Sequence, residues 1–310
     1  MIKKLYCLSF LALLFYLGGG MPQLQAQGER FGIRFENRGQ VALDNPDPAF
    51  PSEGRVNAWG LALNGSFRKK IDKQKLGLTT LTLGAEYRFA RLNYEGFELA
   101  PGQSLVQNLH AARLQIDWVK VLNPKKPKWI LALLFRPGIF SDFEALDWHH
   151  VRLEGAALLS YRTNQKAIYG FGVGRSAGFG RTLILPLLQY TYRSPKFVAD
   201  ILLPSRADVG WIKKKWYWGL NASIVGNQFQ LGNLQNGFPG SDRAGISDLT
   251  LGPVLRYNLS KNNYFLLEGG VTGLRRWEFR DDRRDGDQRF IQDFDPQPTW
   301  FLRTGFQIRY

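Results

Sequence analysis

Arginine and carboxylate side chains stand two residues apart at several points in this chain: Arg34-Glu36-Arg38, Glu86-Arg88 and Arg152-Glu154. On an extended strand, residues i and i+2 face the same way, so each group sets opposite charges side by side on one face. Such a face can neutralise itself as a lattice of ion pairs, or its cationic excess can attract anions. Arg113, Asp117, Arg256, Glu268, Arg303 and Arg309 sit in the same alternating setting, as do Arg68, Arg136 and Arg162. The set holds eleven arginines and five carboxylates, so it is net positive.

Catalysis asks for more than charge: a nucleophile, a base and an orienting group must converge. Histidine occurs three times, at His110, His149 and His150, the last two close to Asp142, Glu144 and Asp147. Adjacent residues of an extended strand point apart, so His149-His150 is a poor two-ligand metal site. The run Asp281-Asp282-Arg283-Arg284-Asp285-Gly286-Asp287 has carboxylates for a calcium ion, but its interleaved arginines read better as a solvated loop tip. Gly170-Phe171-Gly172-Val173-Gly174 has the spacing of a phosphate loop without the helix pattern that should follow it. The chain reads as a non-enzyme with no cofactor and no metal centre.

The elements that position these charges are strands. Trp59, Leu61, Leu63 and Phe67 alternate with small or polar residues, as do Leu81, Leu83, Ala85, Tyr87 and Phe89, then Leu114, Ile116 and Trp118. The pattern returns in Leu249, Leu251, Leu255, Tyr257 and Leu259, and in Trp300, Leu302, Phe306, Ile308 and Tyr310 against Arg303, Gly305, Gln307 and Arg309. Alternation alone also fits a soluble sandwich. Predicted strands of about 10 to 16 residues with Trp and Tyr near their ends favour a transmembrane barrel with aromatic girdles. Both faces are apolar at Trp129 to Phe135 and at Thr182 to Gln189, where the assignment is weakest.

Breaks fall near 41–54, 69–75, 93–107, 123–127, 142–149, 163–166, 178–181, 194–195, 204–206, 213–215, 231–246, 260–262 and 280–297. Thirteen breaks predict fourteen strands, with Pro204 at a hairpin tip; without that hairpin the count is twelve. Long and short connections alternate over most of the chain, as they do when one rim carries loops and the other tight turns. Beyond residue 26 there are fourteen lysines, and all but Lys120 lie in or beside the short turns. The long loops carry Asp44, Asp47, Glu53, Glu95, Glu98, Asp142, Glu144 and Asp147.

The first residues, Met1-Ile2-Lys3-Lys4, precede an apolar run to Leu17 and then Leu24-Gln25-Ala26, the form of a secretory signal over residues 1–26. That leaves 27–310 as one barrel domain, placed in the outer membrane. Cys7, the one cysteine, falls inside the signal, so the remainder forms no disulfide. The formal charge of +15 would suit a polyanion, but export sets nucleic acid aside as a partner. No later run of 18 apolar residues exists for a spanning helix, and 33 glycines with 14% aromatics suit a turn-rich all-β chain.

With its signal segment, alternating strands and final Trp300-Phe301-Leu302-Arg303-Thr304-Gly305-Phe306-Gln307-Ile308-Arg309-Tyr310, the chain resembles the uncharacterised outer-membrane β-barrel families of Gram-negative bacteria. The terminal segment is similar to the aromatic-ended signal read by the barrel assembly machinery, though it ends in Tyr where Phe is commonest. The resemblance implies location and assembly route, with outer-membrane lipid and that machinery as partners. The expected function is a passive pore for a small, anionic solute. A non-conducting structural or surface-interaction barrel, closed by its own Arg/carboxylate lattice, is the alternative; the sequence specifies neither solute nor oligomeric state.

Overall fold

A computed structural model describes residues 29–42, 54–73, 77–96, 105–123, 128–144, 148–232, 241–281, 289–294 and 296–309. Its strands are β1 (Glu29–Ala42), β2 (Arg55–Lys73), β3 (Gly77–Glu95), β4 (Asn108–Val121), β5 (Trp129–Ser141), β6 (Val151–Arg162), β7 (Ala167–Ser176) and β8 (Leu183–Arg193). They continue as β9 (Phe197–Leu203), β10 (Arg206–Lys213), β11 (Trp216–Gln230), β12 (Arg243–Asn258), β13 (Asn263–Asp281), β14 (Arg289–Phe294) and β15 (Thr299–Arg309). A 3-10 turn, Trp148–His150, precedes β6.

Each wall strand pairs antiparallel with the next, and β15 closes the ring by pairing with both β13 and β1. The wall is a closed fourteen-stranded barrel. The fifteenth strand, β14, pairs only with β13 and forms a ribbon within the long break that the sequence places between the last two wall strands. Closure leaves no open sheet edge, which is the condition for β-structure in lipid. Pro204 and Ser205 turn the chain between β9 and β10, which are seven and eight residues long, while β2, β3 and β13 each run nineteen. The range of 10 to 16 therefore corrects at both ends, because the wall is much taller on one side than on the other.

Alternation sets which side chains meet lipid. Phe35, Phe67, Leu83, Leu114, Phe135, Phe171, Leu188, Leu220, Leu251, Val271 and Leu302 are exposed on the outer face. Near the turns this face carries aromatic pairs: Trp129–Tyr161, Tyr169–Tyr190, Phe197–Trp211, Trp211–Trp218 and Trp216–Tyr257, with ring centroids 4.5–5.5 Å apart. Toward the loops Trp59, Phe89, His110 and Phe143 form a second aromatic cluster. An apolar belt flanked by turn-side aromatic pairs and a loop-side aromatic cluster suits a bilayer-spanning barrel.

The unequal strand heights create a seam. β10 pairs with β11 only as far as Ser223, and β6 pairs with β5 only as far as Ile139, so the loop ends of β11 and β5 stand above their neighbours. Those free ends meet each other across the top of β6 to β10, with Gln230 bridged to Ser141. Phe140 and Phe229 pack edge to face there at 6.4 Å. The connection 177–182 between β7 and β8 tucks beneath the seam. A Cβ on Gly226 would lie 2.6 Å from the Gly178 carbonyl oxygen, and one on Gly245 would lie 2.3 Å from that of Gly180, so only glycine permits this approach.

Candidate functional site

The inner wall holds two layers. At the loop end lies an apolar core of Val41, Val56, Ala58, Leu92, Leu105, Val106, Leu109, Ala111, Phe140, Phe229, Leu231, Ala244, Trp277, Phe279 and Phe294. All come from the loop-side ends of β1 to β5 and β11 to β14 or from residues beside them. These are the strands that the seam gathers into a narrower upper ring, so their inner faces meet across the mouth. Trp277, Phe140, Phe279, Phe294 and Leu109 are each less than 2% exposed.

Below the cap, arginines and carboxylates alternate in chains. One runs Glu268–Arg303–Glu36–Arg38–Asp248–Arg275. Arg303 donates from Nε to Glu36 Oε2 at 2.6 Å and from Nη1 to Glu268 Oε1 at 3.2 Å. Arg38 pairs with Glu36 at 2.5 Å and also with Asp248, and Arg275 Nε donates to Asp248 Oδ1 at 2.6 Å. Three cations face three anions. The whole chain spans β13, β15, β1 and β12, so it ties the closing strands together.

A second chain crosses β3, β4 and β6. Arg113 reaches Glu86 and Glu154 at 3.0 Å each, Arg88 also pairs with Glu86, and the free oxygen of Glu154 accepts the Ala177 amide at 2.7 Å. That last bond anchors the 177–182 connection. A third group joins Arg256, Asp208 and Tyr217, with the guanidinium 4.5 Å above the Tyr217 ring. Asp117 lies 3.8 Å from Arg136 and accepts from Gln115.

Of the residues selected from the sequence, Arg34, Glu36, Arg38, Glu86, Arg88, Arg113, Asp117, Arg152, Glu154, Arg256, Glu268, Arg303 and Arg309 all sit on inner-face positions of their strands. Arg309 packs 5.1 Å over the Tyr264 ring. Asp208, Asp248 and Arg275 belong to the same chains and were not selected. Asp248 continues the inward parity of Thr250 and Asp208 that of Arg206, so alternation carried the signal. Arg275 did not follow from parity: a bulge puts two residues, Leu274 and Arg275, opposite the single Asp248, and turns Arg275 and Trp277 inward while Leu274 is 83% exposed.

The inner face is not filled everywhere. Arg136 and Arg88 point inward yet keep 43% and 37% of their side chains exposed, so open space borders them. Beside them runs an apolar stretch of wall, because Leu134, Leu158, Leu185 and Leu187 also face in; this is why both faces of β5 and β8 read as apolar. On β7 the inner positions are Gly170, Gly172 and Gly174, and a 2.8 Å bond from Ser160 to Gln189 passes over Gly170.

His150 is buried, and its Nδ1 sits 2.7 Å from Ser141 Oγ, a pairing of strand end and 3-10 turn that spacing did not suggest. Ser141 Oγ also takes the Phe143 amide, while Asp142 accepts from Gly232 N through both oxygens at 3.0 and 3.1 Å. These bonds fasten the seam. His110 faces outward, 2.7 Å from the Tyr87 hydroxyl. The His149 side chain, Asp147, Asp282 to Asp287, residues 1–26, where a secretory signal is expected, and Tyr310 lie outside the described residues. On β15, Trp300, Leu302, Phe306 and Ile308 point outward.

In outline the protein is similar to an outer membrane channel from Pseudomonas putida F1, at 10% identity over 94% of this chain and 99% of that one, TM-score 0.45. It is similar as well to the transport unit of the autotransporter AIDA-I from Escherichia coli, at 12% identity over 97% and 98%, TM-score 0.37. A porin from Rhodopseudomonas blastica aligns at 8% identity over 90% and 99%, TM-score 0.29. No curated protein matches in sequence. Residues 24–309 match one family across almost the whole chain, and the protein belongs to that family, described as a domain of unknown function, DUF6268.

Proposed function

We propose that this protein is an exported outer-membrane barrel that is closed at rest, with the apolar core across its loop-side mouth as the closure and the ion-pair chains as the frame holding that closure in register. The observation that carries this reading is the core itself. Fully wetting Trp277, Phe140, Phe279, Phe294 and Leu109 at about 1.5–3 kcal/mol each costs about 8–15 kcal/mol, far more than thermal fluctuation supplies. The lattice supports the same reading, since the ion pairs of Arg38, Arg275 and Arg303 tie β1, β12, β13 and β15 together directly below the core. Barrel assembly through the aromatic-ended β15 is part of the proposal.

One observation favours passage of a small anion as a second reading: Arg88 and Arg136 face open space with side-chain charge accessible. Current through a planar bilayer holding the refolded protein separates the two. The closed reading expects no steady steps from the unaltered chain and steps from the paired change Trp277→Ala with Phe140→Ala. Steady anion-preferring steps from the unaltered chain would overturn it.

A further inference from the structure

The two kinds of basic residue in this chain live in different places and behave differently. Among the described residues every ion pair uses arginine, and none uses lysine. Lys69, Lys70, Lys128, Lys166, Lys196, Lys213, Lys214, Lys215 and Lys261 are all exposed, and all lie at the short-turn rim. The described residues of the turns 163–166, 194–196, 214–215 and 259–262 contain no acidic side chain to answer them. Lys214, with φ at +55°, is the tip of the β10–β11 turn.

Their depth is fixed by what stands next to them. Lys128, Lys196 and Lys215 immediately precede Trp129, Phe197 and Trp216, members of the turn-side aromatic band. Lys128 Nζ reaches back over the Tyr161 ring at 5.8 Å. Aromatic bands sit at the boundary between hydrocarbon and head groups, so a lysine one residue beyond reaches the phosphate layer. Its flexible stem lets the ammonium rise to meet that layer.

We propose that the lysines of these acid-free turns bind the phosphates of anionic phospholipids in the membrane leaflet on the turn side, and so gather such lipids around the barrel. The inference rests on the reading of the chain as a membrane-spanning barrel. Charge complementarity decides the occupant: a zwitterionic head group offers its phosphate together with a compensating amine, whereas phosphatidylglycerol offers the phosphate alone. A soluble polyanion offers the same charge without the acyl chains that would hold it at the aromatic band.

The test reconstitutes the full protein into vesicles of phosphatidylethanolamine and phosphatidylglycerol at 3:1. The boundary-lipid preference is read from spin-labelled lipids of each class. The expected result is an association constant for phosphatidylglycerol about fivefold above that for phosphatidylethanolamine at low salt. The preference should fall toward unity in 0.5 M NaCl and in the variant K196Q/K213Q/K214Q/K215Q, while Lys-to-Arg changes at the same four positions restore it. Heat-modifiable mobility checks that each variant is folded. Equal preference in the unaltered and Gln-substituted barrels would overturn the inference while leaving the barrel reading intact. Displacement of the labelled lipid by equimolar soluble polyphosphate would overturn it in favour of a soluble anion. Failure of the folded protein to insert at all would count against the barrel reading itself.

Discussion

Replacing Arg303 with Met removes the centre of the longest ion-pair chain while keeping the side chain's length and most of its volume. In the native barrel this guanidinium donates to Glu36 and Glu268 and lies 3.4 Å from Thr250 Oγ1, with its plane 4.7 Å over the Phe301 ring. Its side chain is 9% exposed. After the change Glu36 still has Arg38, but Glu268, itself 8% exposed, has no other ion pair within 4 Å among the described residues. Leaving a buried carboxylate unmatched costs about 3–5 kcal/mol, and R303M should lose that much. Glu268→Gln alone should lose about 1.5–3 kcal/mol, because Arg303 keeps its bond to Glu36. The double variant R303M/E268Q should be less destabilised than the sum, since no buried charge is stranded in it. Reversible urea unfolding in phospholipid vesicles, followed by tryptophan fluorescence, gives all three values. A loss below about 1 kcal/mol for R303M, with an additive double variant, would refute the claim that the lattice frames the barrel.

Arg113→Lys keeps the charge but not the fork that reaches Glu86 and Glu154 together, so about 1.5–3 kcal/mol of stability should be lost in the same urea assay; an unchanged midpoint would show that one contact suffices. Asp142→Ala strips the acceptor from the Gly232 amide and should cost about 1–3 kcal/mol, with faster hydrogen exchange at Gly232 as the local signature; unchanged protection there would mean the seam is held elsewhere. Gly245→Val drives a side chain into the Gly180 carbonyl and should cost about 1–3 kcal/mol while exposing residues 177–182 to protease. Gly273→Ala, whose new Cβ meets nothing within 4 Å, should leave both readouts unchanged and serves as the control.

The barrel was legible because a strand with lipid on one side and charge on the other must alternate, and that period is blurred mainly in β5 and β8, where inward leucines make both faces apolar. The turn positions followed from the same pattern, including Pro204, since a proline without an amide donor fits a hairpin tip better than a ladder. What alternation cannot carry is any contact between strands that are not neighbours. The seam between Gln230 and Ser141, the Phe140–Phe229 packing and the cap around Trp277 depend on how far each strand rises above the next. That height is set by pairing register, which no single strand records. The bulge opposite Asp248 is the sharpest case. One extra residue reverses the face of everything after it, so Arg275 and Trp277 enter the lumen from positions whose parity points to lipid.

The division of labour between arginine and lysine follows from their hydration. A guanidinium is weakly hydrated and has five donors in a fixed plane, so Arg303, Arg113 and Arg38 can each bridge two carboxylates inside the barrel at a desolvation cost that those contacts offset. An ammonium is compact and strongly hydrated, and the same place would strip its water without giving it two planar partners. Lysine is therefore favoured where water or head groups remain, at the turns. The chain's large positive charge then has two separate meanings. Inside the barrel it is partly cancelled by ion pairs that tie strands together and serve the closure; at the acid-free turns it faces whatever anion the membrane presents. Net charge sums the two contributions, whereas the positions of arginine and lysine keep them apart.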